Sequence, residues 1–504
     1  MLALKPSQRW GLLGVISSGL LLITLDNSIL YTALPTLTAD LGATGTQALW
    51  IINAYPVVMA GLLLGSGTLG DRIGHRRMFL IGLGLFAVAS LGAAFASGPA
   101  TLIAARALLA VGAAAMMPAT LALIRVTFHD ERERNIAIAV WGSISVVGMS
   151  LGPIVGGALL SVFWWGSVFL INVPVAIAAA VATVLIALPN DPDPAKHWDL
   201  RSSVQVMAGL VGAVFAIKEV AHRPPDWTVV VVAVLISAAG FTLFARRQRR
   251  LPDPLVDFAI FRNPAFSAGV LAAALAMFAV GGLQLVTTQR YQLVEGFTPL
   301  QAGLLVATMA FGSLFTAMFG GMYLHRTGLL PLIGGGLAVA VLGVALIAAG
   351  GTGSFGLLIT GLLVTGAGLG ATMGVASSAI VGNAPARRAG MASSIEEVSY
   401  EFGSVAAVSL LGSLITVVYA TTVGLPPGAP ATAGETLPDA LATAGGDPVI
   451  LAAARAAYNT GFLVTTVVVA VVLAAGAALT ARMLRHHGPG SPVGSREDGA
   501  RAPE

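Results

Sequence analysis

The sequence contains no cysteine, which excludes disulfide bonds, thiolate nucleophiles, zinc–thiolate sites and iron–sulfur clusters. Its seven histidines are scattered, and only His486 and His487 are close in sequence, so we predict no metal site. A phosphate-binding P-loop requires a lysine directly after a glycine. None of the three lysines, Lys5, Lys196 and Lys218, follows a glycine, so we predict no Walker-type ATPase.

Charge is scarce as well. Only 10% of the 504 residues are charged and 56% are hydrophobic, whereas a soluble protein carries about 25% charged residues. This composition excludes an ordinary soluble enzyme. At roughly 20 apolar residues for each bilayer-spanning helix, the chain has enough hydrophobic residues for about fourteen spans. The net charge of +4 is better explained by basic cytoplasmic loops than by a nucleic-acid surface.

Apolar stretches long enough to cross a bilayer divide the chain into fourteen predicted spans. An even number of spans places both termini on one side, and that side carries 22 of the lysines and arginines against four on the other. The positive-inside rule therefore predicts cytoplasmic termini. The spans cover residues 11–37, 47–69, 78–97, 100–126, 135–160, 166–188, 204–221, 227–245, 266–290, 300–323, 330–350, 355–382, 391–420 and 459–484.

A shift of 254 residues brings two regions of the chain into register, because Gly67, Arg72 and Gly74 fall on Gly321, Arg326 and Gly328. Internal repeats of this kind predict two similar helix bundles with a substrate site between them near the membrane midplane. We predict an N-terminal six-helix bundle, an inserted helix pair and a C-terminal six-helix bundle, which is a 6 + 2 + 6 arrangement. These units cover residues 1–190, 191–262 and 263–485, with an extracellular loop at 421–458 and a disordered cytoplasmic tail at 486–504.

The loop after span 2, GTLGDRIGHRR at residues 67–77, combines glycines with acidic and basic side chains. Its acid and its arginines can bridge neighbouring helix ends in one conformation and release them in another. We interpret it as a gating loop with the residues Asp71, Arg72, Gly74 and Arg76. The alternative is a basic turn that only sets topology.

Span 5 carries a pattern of glycines around a proline. Glycines four residues apart give a helix a flat face for close contact, and proline removes one backbone hydrogen bond and bends the helix. Helix packing alone is the alternative interpretation. The pattern consists of Gly148, Gly152, Pro153, Gly156 and Gly157.

These motifs resemble those of a known family. The loop at 67–77 resembles the cytoplasmic signature of the major facilitator superfamily, and GxxxGPxxGG in span 5 resembles the antiporter signature of its drug exporters. LDNSILYTALP at 25–35, FLINVP at 169–174 and EEVSYEFG at 396–403 are similar to segments of the fourteen-span, QacA-type drug:proton antiporters. The resemblance implies an all-α major facilitator fold, multidrug efflux driven by the proton gradient without a cofactor, and antibiotic resistance. We expect a monomer in the bacterial plasma membrane.

Five charged residues lie inside the predicted spans, away from the span ends: Asp26, Arg106, Glu396, Glu397 and Glu401. Asp26 lies roughly 17 Å from the outer end of span 1, and a charge at that depth costs at least ~2.5 kcal/mol unless it faces a cavity or a partner. Glu397 and Glu401 share one helix face, whereas Glu396 is turned by about 100° and has the alternative of reaching the cytoplasmic surface. The family resemblance implies proton handling for Arg106. Whether Arg106 pairs with Asp26 stays open at this point.

Several polar and aromatic side chains are expected to line the cavity. Aromatic rings attract flat or quaternary cations, although packing explains each ring equally well. QacA-type relatives can carry acids where this chain has Asn53 and Ser313, so we expect dications to be selected weakly relative to monocations. The predicted cavity residues are Asn53, Tyr55, Trp141, Ser313 and Tyr400.

We therefore predict a transporter that exports lipophilic organic cations, such as quaternary ammonium compounds and cationic dyes, in exchange for protons by alternating access. The five charged residues inside the spans are the predicted substrate and coupling residues. A dedicated exporter of an endogenous antibiotic or metabolite would use the same scaffold. A nutrient symporter is disfavoured by the span 5 motif. An enzyme is not predicted, because the sequence shows no constellation of nucleophile, metal ligands or cofactor-binding residues.

Overall fold

The structure is a computed structural model that describes residues 5–194, 198–221, 225–252, 254–351, 353–384 and 388–485. These residues form helices and no β-strand, so the all-α fold class is confirmed. Fourteen of the described helices are long and apolar enough to cross a membrane. The predicted tail at 486–504 lies outside the described residues.

In chain order the fourteen helices are α1 Pro6–Leu41, α2 Gly45–Ile73, α3 His75–Ala94, α4 Pro99–Thr127, α5 Glu131–Val162, α6 Ser167–Ile186, α7 Leu200–Ala221, α8 Trp227–Gln248, α9 Pro264–Leu293, α10 Pro299–Thr327, α11 Pro331–Gly350, α12 Phe355–Val381, α13 Ala389–Thr422 and α14 Pro448–Met483. Fourteen crossings return the chain to the membrane face from which it started. We call this face the terminal face, and the opposite one the distal face.

Two helices begin with the same capping arrangement at positions 254 residues apart. The Thr44 hydroxyl accepts the Gln47 backbone N–H at 3.3 Å, and the Thr298 hydroxyl accepts that of Gln301 at 3.3 Å. Each glutamine side chain in turn accepts the backbone N–H of its threonine. These reciprocal bonds satisfy N–H groups that have no acceptor within the first helical turn. The capping residues that begin α2 and α10 are therefore part of the 254-residue repeat.

Helix packing follows the same repeat. The pairs α1–α5, α2–α4, α3–α4 and α1–α6 of the first half correspond to α9–α13, α10–α12, α11–α12 and α9–α14 of the second. The halves meet along two seams, α5 against α10 and α2 against α13. The repeat relates α5 to α13 and α2 to α10, so the two seams are equivalent. The proposed boundaries at 190/191 and 262/263 stay predictions.

The inserted helices α7 and α8 pack on each other, and α7 also contacts α2 and α13. Lys218 of α7 holds this arrangement near the distal face, where its Nζ donates to the Thr46 carbonyl at 3.1 Å and lies 4.7 Å from the centre of the Trp50 ring. The count of charges assigns Lys218 to the end of span 204–221 on the side opposite the termini, and the structure shows that it is 7% exposed inside α7. The carbonyl and the aromatic face replace the water that a buried ammonium loses.

The distal connection between α13 and α14 is shorter than the predicted 421–458. Helix α14 begins at Pro448 instead of 459, because the Asp447 side chain caps its first turn at 2.8 Å from the Val449 N–H. The connection contains a short helix, Leu437–Thr443, which lies over the distal ends of the bundle.

Candidate functional site

Asp26 and Arg106 form a buried ion pair inside the N-terminal half, which answers the question that the sequence left open. Asp26 is 2% exposed and Arg106 is fully buried. The Arg106 Nε donates to the Ile51 carbonyl at 3.3 Å, and its guanidinium lies 4.7 Å from the centre of the Tyr55 ring. The second oxygen of Asp26 accepts a hydrogen bond from Asn172 at 2.9 Å. Four helices, α1, α2, α4 and α6, therefore meet at one pair of charges.

Asn172 is a site residue that the sequence analysis did not select. Its amide nitrogen also lies 3.3 Å from the Ser90 hydroxyl and thereby links α3 to the same network. The signal was present in the FLINVP segment, where a polar amide stands alone in an apolar span. A buried polar side chain in a membrane helix requires a partner, but the sequence did not identify which one.

The glycines of the span 5 motif pack against α1 on either side of Asp26. A methyl group on Gly152 would lie 2.8 Å from Ser28 Cβ, and one on Gly156 would lie 2.9 Å from Ile29 Cγ2. The Ser28 hydroxyl lies 3.2 Å from the Gly148 carbonyl and 2.9 Å from the Thr24 carbonyl of its own helix. This face of α5 therefore sets the position of the helix that carries Asp26.

The remaining motif residues face the other half of the molecule. A methyl group on Gly157 would lie 2.7 Å from the Leu300 backbone nitrogen of α10, and one on Gly303 would lie 2.7 Å from the Pro153 carbonyl carbon. Distances this short leave no room for any side chain at either glycine. Helix α5 thus contacts the Asp26 helix on one side and the C-terminal half on the other.

The three glutamates of α13 are buried to different degrees. Glu396 is only 8% exposed and accepts a hydrogen bond from Tyr400 at 3.3 Å, so the alternative that it reaches the terminal face is wrong. Glu397 and Glu401 are half-buried. The Glu401 Oε2 has no hydrogen-bond partner among the described residues. No group of three or more histidine, aspartate or glutamate side chains in the described part of the chain could hold a metal ion.

Glu401 belongs to the same electrostatic network as the charges of the first half. Glu401 lies within electrostatic range of Arg106 and of the phenols of Tyr31 and Tyr55. The Tyr31 hydroxyl lies 3.3 Å from the hydroxyl of Ser404, which is one turn further along α13. The structure thus places Glu401 of one half within electrostatic range of the Asp26–Arg106 pair of the other. The coupling role of these residues stays a prediction.

The predicted cavity residues have different environments. Asn53 donates to the Ser409 hydroxyl at 2.9 Å and is fully buried, as is Tyr55, while Trp141 is 9% exposed. Ser313 lines a small midplane cavity of about 50 Å³ between α5, α9, α10 and α12. Three methionines and a glutamine share this lining: Met149, Met309, Met373 and Gln284. Methionine walls adapt to ligands of different shape.

The predicted gating loop is held within the N-terminal half. Asp71 contacts His75 at 3.0 Å, and Arg76 donates to the Val184 carbonyl of α6 at 2.8 Å. Gly74 has a φ of +91°, and a side chain there would collide with Asn190. Arg72 is exposed. Asp71 therefore pairs with a histidine instead of an arginine, and Arg76 makes a side-chain bridge to the neighbouring helix α6.

Hydrogen bonds between α1 and α9 close the centre of the molecule towards the distal face. The Gln292 amide donates to the Thr32 carbonyl at 2.9 Å. The Thr288 hydroxyl lies 3.0 Å from the Tyr31 carbonyl and 2.6 Å from the Gln284 carbonyl of its own helix, so these two acceptors share its single proton. Pro35 lies four residues after Tyr31 within α1 and has no N–H to donate. The Tyr31 carbonyl is therefore left without its helical donor, and the opposite half supplies one.

Comparison with known proteins agrees with this arrangement. Residues 16–408 match the family model of the Major Facilitator Superfamily. The chain belongs to the major facilitator superfamily. It is accordingly a multi-pass membrane transporter and not an enzyme, which confirms both predictions.

Two relatives within the superfamily are similar over most of their length. The chain is 35% identical to the multidrug efflux pump LfrA of Mycolicibacterium smegmatis over 498 residues, which are 95% of this chain and 97% of the relative. It is 34% identical to the methyl viologen resistance protein SmvA of Salmonella typhimurium over 432 residues, which are 84% of this chain and 85% of the relative. The resemblance to multidrug efflux transporters is thereby confirmed.

A solved structure shares the fold. It is that of a bacterial homologue of the human lysosomal transporter Spinster in an inward-facing and occupied conformation. The TM-score is 0.67, with 16% sequence identity and coverage of 95% of this chain and 98% of the other. At this identity the likeness concerns the fold alone, which is the predicted major facilitator fold.

Proposed function

We propose that this transporter exports lipophilic organic monocations, such as quaternary ammonium compounds and cationic dyes, in exchange for protons. The observation that carries the proposal is the buried Asp26–Arg106 pair in one half together with the half-buried Glu401 of the other, whose Oε2 has no hydrogen-bond partner among the described residues. Helix α13 contributes three glutamates to this region and contains no lysine or arginine. Relatives named as efflux and resistance proteins support a drug exporter.

The coupling step follows from the unequal pairing of the acids. A carboxylate in a low-dielectric site needs a counter-charge or a proton. Asp26 has Arg106 as its counter-charge, whereas Glu401 Oε2 lacks a hydrogen-bond partner in the described part of the chain. Glu401 therefore takes either a proton or the substrate cation. In the cytoplasm-facing state the deprotonated acids accept the cation, and protons arriving from outside displace it.

The small neutral side chains near the midplane favour monocations. Ser313 stands in the cavity wall at a place where related exporters can carry an acid, and Asn53 binds Ser409 instead of offering a charge. A second positive charge on the substrate would consequently have no matching carboxylate there. Glu396 and Glu397 lie towards the terminal face and would meet the cation first.

The remaining assignments follow from charge topology. Basic residues concentrate on the terminal face, so we assign that face to the cytoplasm of a bacterial plasma membrane and the distal face to the outside. The proton gradient is the only energy source that the proposal requires, without a cofactor. The proposed working unit is a monomer, because each half of the network comes from the same chain.

The proposal is tested by proton-driven accumulation of ethidium in inverted membrane vesicles. We expect Asp26→Asn and Glu401→Gln each to reduce the initial rate at least about tenfold, because one side chain can no longer alternate between proton and counter-charge. Glu435→Gln is the matched control, since Glu435 is an exposed acid of the distal connection.

Immunoblotting of the vesicles verifies equal amounts of each variant. Normal ethidium accumulation by the Asp26→Asn and Glu401→Gln variants would refute proton coupling through this network. Acidification of the vesicle lumen on substrate addition, in place of alkalinisation, would show symport.

A further inference from the structure

A second, larger cavity lies at the distal face, away from the Asp26 network. Its volume is about 560 Å³, which is within the range of roughly 300–1,000 Å³ that accommodates small-molecule ligands. The distal ends of α1 and α2 form one side, those of α9 and α13 form the other, and the short helix Leu437–Thr443 covers part of the opening. Both halves of the molecule therefore contribute to it.

The lining of this cavity has a defined chemistry. Leucine and isoleucine side chains form much of the wall, and Tyr419 and Tyr458 add aromatic rings. The tyrosine hydroxyls are already used, because Tyr419 donates to the Ala433 carbonyl at 2.8 Å and Tyr458 to the Gln289 side chain at 3.0 Å. The rings are consequently what the two tyrosines offer to a ligand.

Asp439 is the single formally charged residue among the described residues that line the cavity. It lies in the first turn of the short helix, where its carboxylate accepts a hydrogen bond from the Thr436 hydroxyl. It has no salt bridge to a described lysine or arginine. One acid among apolar and aromatic walls, without a basic residue, matches a lipophilic molecule with a single positive charge.

The distal cavity is separate from the central site. Leu34 and Pro35 of α1 belong to its lining, and directly below them the Tyr31 and Thr32 carbonyls are bound by Thr288 and Gln292. These bonds join the two halves between the cavity and Asp26. A ligand in the distal cavity therefore has no contact with the coupling network in this conformation.

We infer that the distal cavity is a second binding site for lipophilic organic monocations, open to the outside and with Asp439 as its charge partner. The inference deepens the proposed function, on which its orientation and ligand class depend. A cation that leaves the central site reaches this cavity next. A high outside concentration of the same cation fills it and opposes release.

The absence of cysteine makes the test direct, because a single introduced thiol is the sole maleimide target. We place it in the cavity wall as Thr416→Cys and label right-side-out vesicles with a membrane-impermeant maleimide. Ethidium added outside should protect the thiol, and uncharged phenanthridine at the same concentration should not. Asp439→Asn should raise the half-protecting ethidium concentration about fivefold, which is the effect of one half-exposed charge pair.

Two variants separate charge from structure. Asp439→Glu keeps the charge and should keep protection, whereas Glu435→Gln removes a neighbouring exposed acid that does not line the cavity and should change nothing. Labelling without ethidium reports whether each variant is folded. Equal protection of the Asp439→Asn variant, or no protection by ethidium at all, would overturn the inference.

The central site is tested apart from this one. In a Glu401→Gln background, which should not transport, external ethidium should still protect the thiol. Loss of transport without any protection would refute the distal site alone. Protection together with full transport by the Glu401→Gln variant would refute the coupling proposal alone.

Discussion

At the scale of single residues, Arg106 makes contacts that a lysine could not reproduce. One guanidinium nitrogen pairs with Asp26, Nε binds the Ile51 carbonyl at 3.3 Å, and the planar group lies against Tyr55. A lysine has one nitrogen and no flat face for these roles. Asn172 completes the site by occupying the other Asp26 oxygen. The pair is thus held in place from four helices.

Removing one member of this pair should cost more stability than removing both. Asp26→Asn leaves Arg106 fully buried without a counter-charge, and we expect a loss of about 3–5 kcal/mol. Combining it with Arg106→Gln should restore most of that loss without restoring transport. Thermal unfolding in detergent measures this, with Glu401→Gln as the comparison outside the pair. A double variant less stable than Asp26→Asn alone would contradict the assignment.

At the scale of helices, α1 and α5 are the elements through which the two halves communicate. Helix α1 carries Asp26 and, one and a half turns later, the Tyr31 carbonyl that Pro35 leaves without a donor. Thr288 of the other half binds this carbonyl. Helix α5 contacts α1 through its glycines and α10 through Gly157. A movement of α5 would therefore change the packing both around Asp26 and along the α5–α10 seam.

Thr288→Val should loosen the distal closure. It removes a hydroxyl whose proton the Tyr31 carbonyl shares with the Gln284 carbonyl, so the expected effect is at most about 1 kcal/mol, equivalent to roughly a fivefold change in population. We expect faster labelling of a Val280→Cys reporter, which lines the midplane cavity, by impermeant maleimide added from the distal side. Thr287→Val is the matched control, because the buried Thr287 hydroxyl has no hydrogen-bond partner among the residues that the structure describes. Equal acceleration by both substitutions would rule out the proposed bond.

Gly157→Ala should separate α5 from α10. Its added methyl group would lie 2.7 Å from the Leu300 nitrogen, a distance that backbone atoms cannot relieve by rotation. We expect ethidium transport to fall at least about tenfold. Gly142→Ala lies on the same helix with no atom within 4 Å of the new methyl group and should retain transport. Similar losses for both variants would indicate a general effect of alanine on α5.

At the scale of the molecule, the number of spans, the fold and the repeat are predictable, because apolar length and capping residues such as Thr44 and Thr298 act locally. Contacts between residues that are far apart in the sequence are not predictable in this way. The sequence places Asp26, Arg106 and Glu401 at membrane depth but contains no signal that Asn172 or Ile51 completes the site. The burial of Lys218 likewise depends on Trp50, which is far away in sequence. Topology rules count charges and do not recognise such partners.

The balance of charges predicts that transport responds to voltage. Exchange of two protons, one each at Asp26 and Glu401, for one monocation moves one net charge, worth about 2.3 kcal/mol per 100 mV. In inverted vesicles each such exchange carries one net positive charge out of the lumen. A potassium diffusion potential that is positive inside should therefore accelerate cation accumulation, and the opposite polarity should slow it, without any pH gradient. Fluorescence of ethidium in valinomycin-treated vesicles measures this. Voltage-independent rates would indicate electroneutral one-for-one exchange.

The inserted pair covers one seam and leaves the other bare. Helix α7 packs on both α2 and α13, whereas neither α7 nor α8 packs against α5 or α10 in the described part of the chain. Along the α5–α10 seam, side chains such as Leu304 and Phe311 are 50% and 59% exposed. The two seams are therefore unequally accessible from the bilayer. A compound dissolved among the acyl chains can therefore reach the junction of the halves along the α5–α10 seam but not along the seam that α7 covers. The membrane supplies such compounds to the transporter from one side only.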